Sequence, residues 1–153
     1  MPILIDIAEA VVATLNGDGF KARAAALGFA FTAERSHRPV YSREEMKDLH
    51  VTVVPAGFTL ELAGRSQSQT DYVVEVGIMH APETLDAAAM DALMGLVEEI
   101  VAFFKFRRLA GYQAAVCMKA ALAAGCERGY AAEHVDQLQQ FTSVLALTFR
   151  VIG

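Results

Sequence analysis

Four histidines, two cysteines and one adjacent pair of glutamates are the residues whose types suit acid–base, nucleophilic or metal chemistry. His37, His50, His80 and His134 do not stand three or four residues from one another or from a cysteine, the spacing that sets two ligands on one helical face. They read as scattered surface or strand-end side chains. Cys117 and Cys126, nine residues apart, have neither a CxxC spacing nor a helix N-terminus to activate a thiolate. They read as small buried apolar residues. Glu98 and Glu99 fall on a helix, where neighbours diverge by about 100°, so the two carboxylates do not converge. Gly17-Asp18-Gly19 lacks the third glycine and the preceding strand of a dinucleotide site. No nucleophile elbow, P-loop or HExxH is present. The expectation is a protein that is not an enzyme and has no catalytic residue, cofactor or metal.

The rest of the composition agrees with a structural role. The 153 residues include 13 Lys plus Arg against 18 Asp plus Glu, a net charge of −5. That length suits one domain spanning 1–153, and 54% hydrophobic residues argue against disorder. The acidic balance disfavours a module that grips DNA or RNA, while leaving room for nucleic acid to pass close by. A basic group, Arg35, His37, Arg38, Arg43 and Lys47, is interleaved with Glu34, Glu44, Glu45 and Asp48 and reads as a solvated or interface segment. Two cysteines fit a reducing compartment. Met1-Pro2-Ile3-Leu4-Ile5 has no positively charged start, and no apolar stretch is long enough for a membrane span. A soluble protein made in the cytoplasm is expected.

The elements follow from periodicity. Ile5, Ala8, Val11, Val12 and Leu15 lie at helical spacing, predicting a first helix over 6–16 with Asp6 as its cap and Gly17 in a left-handed position after its end. Gly17-Asp18-Gly19 reads as a breaker, and Phe29, Phe31 and Ala33 as one face of a strand. Ser42 and Glu45 have capping-box spacing, predicting a helical turn through Asp48. His50-Val51-Thr52-Val53-Val54, then Pro55-Ala56-Gly57, then Phe58-Thr59-Leu60-Glu61-Leu62 read as strand, turn, strand, or as one strand continued around a bend. Residues 64–70 carry no apolar side chain and form a loop or the tip of a long β-arm. Residues 71–79 alternate as a strand with Tyr72, Val74, Val76 and Ile78 on one face.

Pro82 and Thr84 introduce a long helix over 85–107 with two apolar stripes. One is Leu85, Ala89, Leu93, Leu96, Ile100 and Phe103; the other is Met90, Met94, Val97, Val101 and Phe104. Their combined arc of roughly 200° exceeds what one packing surface requires. A partner is needed for the second stripe, whether the first helix, through Val11, Val12 and Leu15, or another subunit. Lys105, Arg107 and Arg108 are expected in the last turn, where cations suit the helix dipole. Residues 114–122 read as a strand, 133–140 as a short helical turn, and 141–152 as a final strand with Phe141, Ser143, Leu145, Leu147, Phe149 and Val151 facing one way. The order predicts an α+β domain: a mostly antiparallel sheet with the long helix and the N-terminal helix packed on one face.

Three strand segments bear a family resemblance: Asp48-Leu49-His50-Val51-Thr52-Val53-Val54-Pro55 with Arg35 and Pro39 before it, Asp71-Tyr72-Val73-Val74-Glu75-Val76-Gly77-Ile78, and Phe141-Thr142-Ser143-Val144-Leu145-Ala146-Leu147-Thr148-Phe149-Arg150-Val151. With the amphipathic helix between them, the pattern resembles the tail terminator (tail-completion) proteins encoded among the head–tail genes of tailed phages and prophages. The alanine-rich segment 114–130 departs from that pattern. The resemblance implies an α+β subunit of the virion neck that assembles with itself into a ring, a hexamer, capping the tail tube. Its partners would be tube and head-completion proteins, with DNA only passing through the lumen and no membrane. Such proteins carry no catalytic residues, so none is transferred here. The expected assembly surfaces are the polar loop, through Arg65, Gln67 and Gln69, and the second helical stripe, through Met90, Met94 and Val97. Two alternatives stay open: a head-completion or connector protein of the same gene cluster, and a small oligomeric enzyme or ligand-binding domain using His50, His80 or Cys117.

Overall fold

A computed structural model describes residues 2–37, 41–42, 44–123, 126 and 130–152, without the side chains of 136–138. Arg38, Pro39 and Arg43, named above, lie outside the described residues. The chain runs α1 (Ile3–Leu15), α2 (Asp18–Ala26), β1 (Ala33–Arg35), a single 3₁₀ turn (Glu45–Lys47), β2 (His50–Leu62), β3 (Ser68–His80), α3 (Ala87–Phe104), β4 (Arg108–Leu109), β5 (Tyr112–Leu122), α4 (Ala132–Leu138) and β6 (Phe141–Ile152). The six strands form one sheet in the order β1-β2-β3-β6-β5-β4. Every neighbouring pair is antiparallel except β1 with β2. The fold is α+β with a mostly antiparallel sheet, as the periodicity predicts.

One face of the sheet carries the core. Val53, Val76 and Leu145 stand level across three strands, as do Val74, Leu147 and Ala120 across β3, β6 and β5. Side chains level with one another share a face, so a continuous apolar layer results. Ile7, Val11 and Leu15 of α1 and Leu93, Leu96 and Ile100 of α3 close over that layer in the same cluster. The sheet curls around α1. At one end the Asn16 side chain accepts from Ala33 N at 2.7 Å and donates to Ala33 O at 3.0 Å, standing in for a strand beside β1. Towards the other edge, a Cβ on Gly111 in the β4–β5 turn would come within 2.9 Å of Ala10 Cβ.

Several local expectations are corrected. α1 starts at Ile3 with Pro2 as its N-cap, and Asp6 does not cap it. Proline suits a helix start because the first N–H groups have no partner within the helix. Gly17 has φ −72° and is the N-cap of α2, so it is not left-handed, and Gly17-Asp18-Gly19 begins a helix instead of breaking one. The three alanines at 24–26 favour that helix over the glycine signal. Phe29 and Phe31 precede the sheet; β1 starts only at Ala33, and the Phe31 ring packs edge-on against Phe20 of α2 at 6.1 Å. α3 starts after Asp86, whose Oδ1 accepts from Ala89 N at 2.9 Å, and stops at Phe104. Phe106 has φ 53°, and Lys105, Arg107 and Arg108 lie beyond the helix. Arg107 stacks its guanidinium over the Phe103 ring at 4.6 Å instead of serving the helix dipole.

Candidate assembly surfaces

The first candidate surface grows out of a β-bulge. β2 opposes β3 in simple register up to Pro55–Val74, after which the next partners are Gly57–Val73 and Phe58–Tyr72. One extra residue therefore enters β2, and Gly57 accommodates it with φ +153°, a conformation side chains other than glycine disfavour. The extra residue reverses the alternation. Without it, Thr59 and Glu61 would continue the core-facing side of Val51 and Val53; with it, Phe58, Leu60 and Leu62 do. The helices do not reach that far, and these three side chains are 66%, 63% and 85% exposed. Phe58 touches only the rim of the core, its ring 5.8 Å from Tyr72.

The opposite face of the arm is polar and internally satisfied. Arg150 donates to both carboxylate oxygens of Asp71, at 2.9 and 3.2 Å, and Asp71 holds the guanidinium pKa up. Gln69, with its amide oxygen turned to Arg150, accepts at 3.1 Å. Of the predicted loop residues, Gln69 therefore sits within β3 and is engaged by its own subunit. Arg65 and Gln67 lie exposed at the tip of the arm. The stretch 64–70 is thus the end of a long β-arm. What matters more is the apolar ridge beside it, which the alternation of β2 alone would have turned away from the core face.

The second surface is a groove beside α3. α2 packs along one side of α3: Leu27 reaches Gly95, Arg23 pairs with Glu99 at 3.4 Å, and Phe20 meets Phe103 edge-on at 5.4 Å. The sheet takes Leu93, Leu96, Ile100 and Phe104. What remains is the predicted second stripe. Met94, Val97 and Val101 line an open groove of about 600 Å³ against Ala120, Leu122 and Leu145, with Glu98 and Lys105 at its rim. Met90 and Met94 are half-buried, and Val97 is buried at its floor. α2, whose helix the glycine signal concealed, is the element that covers much of the wide apolar arc.

The remaining chemistry candidates are occupied locally. His50 bonds Glu45 O at 2.8 Å and stacks on Tyr41, and His80 bonds Met46 O at 3.1 Å. Both therefore fasten the 3₁₀ turn to the sheet, and the hollow beside it is lined by Glu44, Lys47, Ala81, Pro82 and Glu83, with neither histidine. The turn itself is the capping box read from the sequence: Glu45 N donates to Ser42 Oγ at 3.2 Å and Ser42 N to Glu45 Oε1 at 3.1 Å. These bonds favour the carboxylate and lower the Glu45 pKa. His134 bonds Thr142 Oγ1 at 2.8 Å, and His37 is exposed beside Arg35. Cys117 is 1% exposed, and burial pushes its thiol up to about 11, the reverse of what a nucleophile needs. Cys126 is buried and unpaired. Of the basic group, Arg35 pairs with Glu9 and Lys47 with Glu44.

Among the described residues, no three His, Cys, Asp or Glu side chains cluster as metal ligands, and no helix is long and apolar enough to cross a membrane. No protein-family model matches the chain, and no curated protein matches it in sequence.

Proposed function

We propose that this chain is a structural subunit of a phage or prophage head–tail joint, tail terminator-like, which acts by assembling with itself into a ring that caps the tail tube. The observation that carries the reading is the arm: a two-stranded ribbon whose core-side face, Phe58, Leu60 and Leu62, projects past the helices into water. Aligned exposed apolar side chains on an ordered element mark a docking surface. The family resemblance supplies the rest of the reading: a hexameric ring, tube and head-completion proteins as partners, and residence in the virion neck. The net charge of −5 suits a lumen that DNA traverses without being gripped. The competing enzyme reading needed His50, His80 or Cys117, and these side chains are tied to backbone carbonyls or buried with a raised pKa.

Sedimentation of the purified chain and electron microscopy test the reading, first alone and then with tubes grown from a tail-tube protein. Rings in solution, or a ring seated on tube ends that halts their growth, are expected. Monomers at every concentration, together with bare tube ends, would overturn it. Met94→Glu sharpens the test: with Met94 in the groove wall, a folded protein with impaired assembly is expected, and global unfolding instead would show that the stripe serves only the subunit's own core.

A further inference from the structure

The two apolar surfaces lie along open edges on opposite sides of one sheet. β1 covers β2 only at residues 51–53, so among the described residues the arm segment 58–62 has no strand on its outer side. β4 pairs with β5 only at Tyr112 and Val116, and Arg107 O takes Cys117 N, so residues 118–122 form a second open edge. Open strand edges are templates for a further strand. The exposed large apolar side chains concentrate there: Phe58, Leu60 and Leu62 on the first edge, Met118 (39%) and Leu122 (36%) on the second. Charges correspond as well. Glu61 and Lys119 fall on the same outer face of the sheet, away from the core, and both are exposed.

We propose that the β2 arm of one copy adds to the open edge of β5 in the next copy, which extends the sheet across the subunit boundary and lays the arm's apolar ridge in the groove beneath α3. This rests on the ring reading above and names the surfaces that make the ring. β5 runs antiparallel to β6, and β6 runs parallel to β2, so repeating the sheet in one orientation brings β2 against β5 in antiparallel pairing. With Glu61 opposite Lys119, Leu60 falls opposite Ala120, Phe58 opposite Leu122 and Leu62 opposite Met118. Apolar pairs then face the groove and one ion pair faces out. A subunit's arm does not reach its own groove: Leu62 lies beyond the level of Ile152, seven residues along β6 from Leu145, roughly 23 Å away. Donor and acceptor edges are different surfaces, so the contact is heterologous and closes as a ring.

Sedimentation equilibrium of the full chain tests this. Leu60→Lys leaves the fold intact, by circular dichroism, and weakens association by about a hundredfold. Glu61→Lys and Lys119→Glu each weaken it by about tenfold, and the double variant recovers wild-type association. Glu61 also acts on Arg150 within its own subunit, a contact the double variant does not restore, so recovery reports pairing between copies. If wild-type protein forms oligomers that Leu60→Lys leaves unchanged, or if the double variant fails to recover, the arm-to-β5 contact is wrong while the ring reading stands. If wild-type protein is monomeric at every concentration and on tubes, both fall. A wild-type monomer that binds tubes through the arm as single copies would reassign the arm to the tube protein and overturn the contact proposed here.

Discussion

Replacing Leu147 and Leu62 by alanine separately asks the same chemical question at two ends of the sheet's core face. Leu147 is fully buried on β6, between Val74 of β3 and Ala120 of β5. The substitution deletes three carbons, about 2.4 kcal/mol of transfer free energy at roughly 0.8 kcal/mol each, and adds a cavity term because strands hydrogen-bonded on both sides cannot close in. About 3–4 kcal/mol is expected, within the 2–5 kcal/mol typical of buried leucine truncations. Leu62 is 85% exposed, so its truncation should change monomer stability by less than about 0.5 kcal/mol. Urea unfolding of both variants, at a concentration where the protein is monomeric and with the slope m checked for constancy, measures the difference. In a thermal melt the Leu147 variant should fall by about 6–16 °C. Comparable losses for the two, or a loss below about half a kcal/mol at Leu147, would refute the assignment of the sheet's inward face and the placement of the helices' end along the arm.

Further outcomes follow from the same geometry. Gly57→Ala should destabilise by about 1–3 kcal/mol in urea unfolding, because φ +153° is strained for alanine although no atom lies within 4 Å of the added Cβ; an unchanged midpoint would mean that the bulge is not where β2 shifts register. Gly111→Ala should cost about 1–3 kcal/mol for a different reason, since the new methyl meets Ala10 Cβ at 2.9 Å and α1 must move off the β4–β5 turn; a variant as stable as wild type would show that α1 is not held there. The Glu45 pKa is lowered by its bonds from Ser42, so the turn's stabilisation is present above the ordinary carboxylate value and is lost as pH falls through the lowered one. An NMR titration should place the Glu45 midpoint below that ordinary value, and Ser42→Ala should return it; an ordinary midpoint in wild type counts against the capping box. Cys117 should resist alkylation at pH 8 in the folded protein and react on unfolding, because burial holds the thiol pKa near 11. Rapid labelling of the native protein would show the β5 edge to be more open than described.

Much of the strand content was legible because alternation is a local property. The last strand, 141–152, carries the same bounds in the sequence reading and in the fold, and its predicted inward residues Phe141, Leu145, Leu147 and Phe149 are all buried. The Ser42–Glu45 capping box was legible for the same reason, since its partners lie three residues apart and its geometry needs nothing from elsewhere. The width of the apolar arc on α3 likewise announced more than one packing partner before any partner was visible. The sequence alone also established an acidic chain without a catalytic motif, because charge totals and motif spacings do not depend on folding.

Only the tertiary structure decided which surfaces stay uncovered. Helix propensity at 18–26 was overshadowed by flanking glycines, yet α2 forms because Phe20 finds Phe31 and Phe103 to pack against, a contact spanning 83 residues that no window of sequence contains. The face on which Phe58, Leu60 and Leu62 emerge depends on a single extra residue at Pro55–Gly57, and that residue is recognisable only once β3 supplies the register against which it is extra. The exposure of that ridge depends in turn on where α1 and α3 end in space. Periodicity tells which side chains share a face; how far the covering helices extend along it is fixed by long-range packing, and the candidate assembly surface is the part they leave bare.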